Sequence, residues 1–446
     1  MLVEFSVKNF YSIKDKVTLS MVADEQDATN ADVVLIDPHL LGKQDIKLLP
    51  SAVIYGPNAS GKTTLLAAID CMIKILGKSS HSIPMPVTPF LLSKETENEP
   101  TEFDIIFTVE NIRYQYGFSL NTDYICGEWL YSFENGKKLW FKRDNYDPKK
   151  PVNNQYHYEW GRGKISGDRK KSWAEETNER TLFLYKAGED SNNIKLKPIF
   201  QGIVNKFLYR PESPREIIKL LEKSDYKQKI LTLLASADLG IIDFDAEKKT
   251  VESKKKGYVQ LSRDSIENDK VELVRHEIKM THISEDGKKI IWGLENESKG
   301  TEKLFSLAGS WISALEQGRI LFIDELNDSL HPFLTEMLIK MFHNPKLNKN
   351  NAQLIFTTHD ASLLARELGK YLFRRDQIWL TDKNKDGSTK LYSLAEYKIP
   401  ENEVNIDRSY LGGRYGGLPF VDMSLLSKVA SKKKSTKKTA GKGFQK

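Results

Sequence analysis

Residues 56–63, GPNASGKT, fit the G-x-x-x-x-G-K-[ST] pattern of a loop that binds phosphates. In such a loop the glycines let backbone N–H groups turn towards the phosphates, the lysine reaches the β- and γ-phosphates, and the threonine hydroxyl ligates Mg²⁺. The apolar segment AVIY precedes the loop and an apolar helical pattern follows it, so the positive end of a helix adds to the attraction. The residues predicted to bind phosphate are Gly56, Pro57, Asn58, Ala59, Ser60, Gly61, Lys62, Thr63 and Thr64.

Two acidic residues follow the apolar pattern ILFI in GRILFIDELNDSLHP, residues 318–332. The carboxyl end of a parallel strand is where ligands bind in such sheets. Asp324 is placed there to bind Mg²⁺ together with Thr63, and Glu325 to polarise an attacking water. Alone, the acidic pair could equally be a solvated turn, but its combination with the phosphate loop favours a nucleotide site.

A histidine, His359, ends a second apolar segment, AQLIFTTH. Such a residue is often only a hydrogen-bonding group at the end of a strand. If this strand lies beside the strand of Asp324, the imidazole would be near the γ-phosphate and could orient the water.

The elements that must position these residues have clear periodicities. Alternating apolar and polar residues predict strands over residues 1–20. The segments FDIIFTV, IRYQYGFSL and GEWLYSF are also predicted strands, and these three should form an antiparallel sheet. Spacings of three and four residues predict helices in LKPIFQGIVNKFL and REIIKLLEKSDYKQKILTLLASA. From residue 301 onward, the predicted helices PFLTEMLIKMF and ASLLARELG separate the strands RILFID, AQLIFTTH and QIWLT, which predicts a parallel sheet with both faces covered.

The segment ENESKGTEKLF, residues 295–305, is too polar for a core strand and leads directly into an amphipathic helix pattern. Because of its position in the chain, this segment completes a series of motifs. In chain order they are the phosphate loop, a long middle region, a serine–glycine turn that opens a helix, Asp-Glu at a strand end, and a histidine at a strand end. This series resembles the ABC-type ATPase head of the SMC-like repair and recombination ATPases and of the overcoming-lysogenisation-defect enzymes.

The resemblance implies that ESKGT stands for the signature loop of that family, usually Leu-Ser-Gly-Gly-Gln. Ser298 and Gly300 match the serine and second glycine, whereas Lys299 replaces the first glycine. In the family, the signature of one subunit binds the γ-phosphate of ATP held by another. The resemblance therefore implies the cofactors ATP and Mg²⁺ and a homo-oligomer, at least a dimer, that shares ATP between subunits. Gln115 is a candidate for the family's Q-loop glutamine.

Longer stretches resemble one bacterial branch of this class: KNFYSIKD, TLFLYKAGEDSN, SADLGIIDF, RRDQIWLTDK and DRSYLGGRYGGLPF. That branch contains the stand-alone ATPases of abortive infection and phage defence, such as the ATPase subunits of PARIS and RloA-type systems. It implies an ATPase that controls an effector protein encoded nearby. We expect no nuclease domain in this chain, so the effector, for example a nuclease, would be supplied in trans.

The predicted fold class is α/β: an ABC-type ATPase head with a mixed parallel core sheet, an antiparallel β subdomain, and a helical insertion instead of a long coiled coil. Residues 1–170 would form an N-terminal lobe with the phosphate loop, and residues 171–256 a mostly helical insertion. Residues 257–424 would form a C-terminal lobe with the signature, the Asp-Glu strand and His359. Residues 425–446 would be a flexible basic tail.

Composition places the chain among ordinary globular proteins, with 39% hydrophobic and 29% charged residues. Two cysteines in 446 residues, no apolar run long enough for a membrane span and no secretory signal lead us to expect a cytoplasmic protein without membrane contact. Residues 431–446 hold seven lysines, and subtracting them from the net charge of +6 leaves −1. The tail either aids solubility or contacts nucleic acid phosphates.

Three functions fit these observations. The first is an ATPase whose nucleotide-driven subunit association regulates an effector in phage defence. The second is a DNA-binding repair or recombination ATPase that acts as an ATP-gated clamp, which the basic tail favours and the near-neutral remainder of the chain opposes. The third is a structural scaffold that binds ATP without turnover.

Overall fold

The computed structural model describes most of the chain. The described residues are 1–27, 46–78, 85–144, 146–147, 149, 155–165, 169–209, 225–252, 272–367, 370–398 and 405–419. The lysine-rich segment 431–446 lies outside them.

A six-stranded core sheet carries the residues that the sequence singled out. Its strands, in spatial order, are β18 (Thr389–Ser393), β17 (Ile378–Lys383), β3 (Ser51–Tyr55), β14 (Gln353–Thr357), β13 (Ile320–Ile323) and β9 (Phe207–Tyr209). All neighbouring pairs are parallel except β17 and β18, which form an antiparallel pair at one edge. The prediction of a parallel sheet in the C-terminal half is confirmed.

A second, seven-stranded sheet is antiparallel throughout. Its strands, in spatial order, are β2 (Val17–Ser20), β1 (Leu2–Lys8), β4 (Thr101–Val109), β5 (Ile112–Leu120), β6 (Ile125–Phe133), β7 (Lys137–Asp144) and β8 (His157–Trp160). The alternating segments of the N-terminal region therefore form strands as predicted. The two sheets together confirm the predicted α/β class with a mixed core sheet and an antiparallel subdomain.

The described residues also form two smaller antiparallel sheets. One contains β10 (Asp243–Glu252), β11 (Glu272–Ile283) and β12 (Lys289–Gly293); the other contains β15 (Arg366–Glu367) and β16 (Lys370–Tyr371).

Eight α-helices lie within the described residues. They are α1 (Lys62–Leu76), α2 (Arg169–Glu175), α3 (Phe183–Glu189), α4 (Leu196–Val204), α5 (Tyr226–Ser236), α6 (Lys299–Gln317), α7 (Pro332–His343) and α8 (Ile406–Leu411). Short 3-10 helices cover Leu294–Asn296, Ala361–Leu364, Arg375–Gln377 and Leu394–Glu396. None of the helices in this part of the chain combines the length and apolar character needed to cross a membrane.

Two of the helix predictions are wrong in part, because residues in the C-terminal half of each predicted helix form a paired strand instead. The segment LKPIFQGIVNKFL gives α4, but its end becomes β9 and pairs with β13, with Phe207 opposite Ile320. The segment ASLLARELG gives only one 3-10 turn, because Arg366 and Glu367 pair with β16 instead of continuing a helix. In the first case tertiary pairing overrides the helical pattern, and in the second a local strand pairing does so.

The core sheet is buried on both faces, and alternate side chains of each strand enter different clusters. In β3, Ala52 and Ile54 pack with α1, α4 and the antiparallel sheet. Val53 and Tyr55 point to the opposite face and pack with residues of α6 and α7. This burial fixes the strand ends from which the site is built.

Candidate active site

The phosphate loop joins β3 to α1 in a conformation that requires its glycines. Gly56 has φ 154° and Gly61 has φ 106°, and Ala59 between them also has a positive φ of 62°. The packing around the loop also excludes larger side chains, since a Cβ on Gly56 would lie 2.1 Å from the Thr381 hydroxyl oxygen. A Cβ on Gly61 would lie 2.2 Å from the Thr389 hydroxyl oxygen. Larger residues at either glycine would displace the loop.

Lys62 is the first residue of α1 and is almost completely buried. Its ammonium group donates hydrogen bonds to the carbonyl oxygens of Gly56 at 2.8 Å and Pro57 at 3.1 Å. Burial lowers the pKa of Lys62, and the negative charges of Glu325 and Asp324 oppose that shift. The charge that would neutralise phosphates is thus held inside the loop, while Asn58, Ala59 and Thr63 are open to solvent.

The carboxylate of Asp324 follows β13 and contacts the start of α1 directly. The Thr63 hydroxyl donates to Asp324 Oδ2 at 2.8 Å, and the Thr357 hydroxyl donates to Asp324 Oδ1 at 2.6 Å. A carboxylate and a hydroxyl this close fit Mg²⁺, which prefers oxygen ligands and is usually held by one or two protein groups together with substrate phosphates. No cluster of three or more His, Cys, Asp or Glu side chains that could hold a metal occurs among the described residues.

Glu325 and His359 lie together at the ends of the neighbouring strands β13 and β14. Glu325 Oε1 is 3.6 Å from His359 Nε2, and both side chains are partly open to solvent. Burial and the charge of Lys62 lower the pKa of His359, against the opposing effect of Glu325. A neutral imidazole can accept a hydrogen bond from water or donate one to it. Beside a carboxylate, it is therefore suited to the predicted role of orienting the attacking water.

Strand order explains why these residues meet. β14 lies between β3, which leads into the phosphate loop, and β13, which leads into Asp324 and Glu325. The carboxyl ends of these three parallel strands therefore open on the same edge of the sheet. The structure brings together Lys62, Thr63, Asp324, Glu325 and His359.

The predicted signature residues lie elsewhere in the same chain. Ser298 is the N-cap of α6: its hydroxyl oxygen accepts a hydrogen bond from the Thr301 N–H at 3.1 Å. Gly300 packs close to the loop that follows Glu325, since a Cβ there would be 2.9 Å from the Ser329 carbonyl oxygen. Among the described residues, no hydrogen bond joins Ser298 to the phosphate loop. Gln115 lies in the antiparallel sheet, where its amide donates to both oxygens of Asp104.

Several hydroxyl groups that support the site were not found from the sequence. Thr381 shares a 2.5 Å hydrogen bond with Ser60, and Thr389 hydrogen-bonds Ser12, which in turn donates to Thr64. These residues come from β17, β18 and the turn after β1, far apart in sequence. Only the threonines of AQLIFTTH carried a local signal, because they stand at the end of an otherwise apolar strand.

Comparison with protein families gives one match. Residues 51–365 match the family model described as "AAA domain, putative AbiEii toxin, Type IV TA system", which covers more than half of the chain. The matched region includes the phosphate loop, the signature segment, the Asp-Glu strand and His359. No curated protein matches the sequence.

Solved structures similar to this chain include SMC head domains. The SMC head domain from Thermotoga maritima has 12% sequence identity and a TM-score of 0.39, over 88% of this chain and 98% of that chain. An Smc head domain with an extended coiled coil, derived from Pyrococcus furiosus and bound to the C-terminal domain of ScpA, has 14% identity and a TM-score of 0.41, over 88% and 96% of the two chains. A third, an SmcHead bound to the C-winged helix domain of ScpA, has 12% identity and a TM-score of 0.37, over 88% and 97%.

Proposed function

The chain belongs to this AAA-domain family, and on that premise we propose that it is an ATPase of the ABC type that binds and hydrolyses ATP. The observation that carries the proposal is the meeting of Lys62, Thr63, Asp324, Glu325 and His359 at one edge of the core sheet. A phosphate loop alone supports nucleotide binding. A second carboxylate beside the loop, that of Glu325, does not bond Thr63 as Asp324 does, and its presence supports hydrolysis.

In this proposal each side chain has one task. The backbone N–H groups of the loop and the Lys62 ammonium hold the β- and γ-phosphates. Thr63 and Asp324 would hold Mg²⁺, which when bound offsets phosphate charge. Glu325 accepts the proton of the attacking water, and His359 keeps that water and the γ-phosphate in line.

Replacing Glu325 by Gln tests the hydrolytic step. Removal of a general base typically costs about 10²- to 10⁴-fold in rate, so we expect turnover to fall at least about 100-fold while ATP still binds. Glu336→Gln on α7 is the control, because it makes the same chemical change away from the phosphate loop. Phosphate release by the Glu325 variant at the wild-type rate would show that the water-activating role is wrong.

We further propose that ATP is shared between subunits of a homo-oligomer. Ser298 caps a 19-residue helix whose N-terminal end suits an anion, yet the hydrogen bonds of the Ser298 hydroxyl stay within its own turn. A second copy of the chain would therefore present the γ-phosphate of its bound ATP to the N-terminal end of this helix. Light scattering of the Glu325→Gln variant with and without ATP would measure the association, and an unchanged mass would contradict it.

The proposed role of this association is control of an effector in phage defence by abortive infection. The support is the resemblance to defence ATPases together with the family description, which names an AbiEii toxin and a type IV TA system. Because that description names a toxin, the test is expression of the chain alone and with its neighbouring gene product. Growth arrest that needs the neighbour supports control in trans, whereas arrest by the chain alone identifies the chain itself as the toxic component.

A DNA-binding clamp is the second candidate, and the seven lysines of residues 431–446 favour it. Deleting residues 431–446 and measuring duplex binding across a salt series would separate the two functions. A large loss of affinity with a flatter salt dependence supports the clamp. Unchanged binding shows that the tail is not the DNA contact, whereas no duplex binding by the full chain leaves the defence role as the better explanation.

A further inference from the structure

Thr357 is the last residue of β14, which lies between the phosphate-loop strand and the Asp-Glu strand, and Thr358 follows it directly. Thr357 is completely buried, yet the three residues before it are apolar, so packing alone would be served by valine. Its hydroxyl makes two hydrogen bonds, both to the acidic pair. It donates to Asp324 Oδ1 at 2.6 Å and accepts from the backbone N–H of Glu325 at 2.8 Å.

Because of the first of these bonds, the two oxygens of the Asp324 carboxylate have different partners. Oδ1 is held by Thr357, while Oδ2 is directed at the Thr63 hydroxyl, 2.8 Å away. Rotation of the carboxylate would break both contacts. Thr357 therefore fixes which oxygen faces the position where Thr63 and a metal ion would meet.

The second bond stabilises an unusual backbone conformation at Glu325. Glu325 has φ 51°, in the left-handed region that residues with a side chain rarely adopt. Thr357 holds this turn from both sides, because its carbonyl oxygen also accepts the N–H of Leu326 at 3.1 Å. The next threonine, Thr358, continues the support by donating to the Asn327 side chain at 2.7 Å.

We propose that Thr357 is a positioning residue that orients the Asp324 carboxylate towards the metal position and holds Glu325 in the turn from which it faces the water. This inference rests on the proposed ATPase function and assigns no contact between Thr357 and ATP. It predicts that loss of the Thr357 hydroxyl slows turnover and weakens the apparent affinity for Mg²⁺, without a comparable loss in nucleotide binding.

The test compares Thr357→Val, which keeps the shape of the side chain but removes the hydroxyl, with Thr357→Ser, which restores it. A hydrogen bond to a charged group is worth about one to two powers of ten in rate, so kcat should fall about 10- to 100-fold in the valine variant. The KM for ATP should stay within about threefold, and the serine variant should recover most of the turnover. Turnover near the wild-type value in a folded valine variant would overturn the proposal.

A second readout does not depend on hydrolysis. A fluorescent ATP analogue is titrated at low and at saturating Mg²⁺, and the apparent Mg²⁺ affinity should weaken about tenfold in Thr357→Val but not in Thr357→Ser. Metal-free binding should stay equal in all forms. If wild type and Glu325→Gln both lack turnover, the proposed hydrolysis fails, and this titration still decides on Thr357: equal Mg²⁺ affinities in wild type and the valine variant would refute it.

The control for folding is Thr101→Val in the antiparallel sheet. Thr101 is also buried and its hydroxyl also makes a hydrogen bond, to the Asn9 carbonyl oxygen at 2.6 Å, but it does not contact the acidic pair. Both valine variants should lower thermal stability to a similar degree, and only Thr357→Val should change the Mg²⁺ dependence. If Thr357→Val does not fold, Thr357→Ala replaces it, and wild-type Mg²⁺ dependence in that variant counts against the proposal.

Discussion

The signature segment provides the sharpest test of shared ATP, because Ser298 has a local task that must be separated from a task between subunits. Locally, its hydroxyl oxygen caps α6 by accepting the Thr301 N–H at 3.1 Å. Removing such a cap costs about 1 kcal/mol of stability. If Ser298 also donates to a γ-phosphate of a second subunit, Ser298→Ala loses a further hydrogen bond to a charged group, about 1.5–3 kcal/mol of association.

Ser298→Asp separates the two tasks by keeping the cap and reversing the electrostatics. Aspartate is as good an N-cap as serine and is favoured at the positive end of a helix, so stability should stay close to that of wild type. Near a phosphate, its carboxylate is repelled by about 4 kcal/mol per unit charge at 4 Å and an effective dielectric constant of 20. We therefore expect Ser298→Asp to fold normally but to abolish ATP-driven association, while Ser298→Ala weakens it about 10- to 100-fold.

The assay places each Ser298 variant in the Glu325→Gln background and measures mass by light scattering with and without ATP. Urea unfolding without nucleotide reports the cap, and binding of a fluorescent ATP analogue reports the phosphate loop of the single subunit. Ser306→Ala is the matched control, because Ser306 lies on the same helix and, within the described part of the chain, its hydroxyl bonds only the Lys303 carbonyl oxygen of its own turn. Association of Ser298→Asp at the wild-type level would refute the role between subunits and leave Ser298 as a helix cap.

Three further predictions follow from the contacts. Lys62→Ala should weaken ATP binding at least about tenfold, measured by titration with a fluorescent analogue, because it removes the buried charge in the phosphate loop. Burial lowers the pKa of His343 to about 4, below its ordinary 6.5, so the unfolded chain takes up the proton first. Stability from this residue is complete above pH 6.5 and falls by up to about 3 kcal/mol as pH drops towards 4. Urea midpoints in His343→Gln should therefore depend less on pH in that window than those of wild type. Glu128→Gln should cost about 3–5 kcal/mol in urea unfolding, because it leaves the fully buried Arg143 uncompensated; a loss below about 1 kcal/mol would contradict this.

The antiparallel sheet and the parallel core were predictable because each follows from a local period. Strands β4, β5 and β6 alternate in the sequence, and β3, β13 and β14 are short apolar runs that each precede a helix or a 3-10 turn. Helix ends were less predictable, because β9 and β15 take residues that a helical pattern also fits. The division into lobes, insertion and tail stays a prediction.

The sequence by itself determined the chemical parts of the candidate site. The phosphate loop is encoded in eight adjacent residues, and Asp324, Glu325 and His359 each stand just after an apolar strand segment. Such signals are local, because the glycine conformations, the lysine and the strand ends depend on neighbours in the chain.

Only the tertiary structure decided how those parts are held. The order of β3, β14 and β13 places Thr357 beside Asp324 and Glu325, although the acidic pair precedes it by more than thirty residues. Likewise, Thr381 and Thr389 reach the phosphate loop from the opposite end of the chain. Thr381 and Thr389 have no sequence pattern that marks them, and even Thr357, at the end of an apolar strand, gains its partners only when the neighbouring strand is fixed.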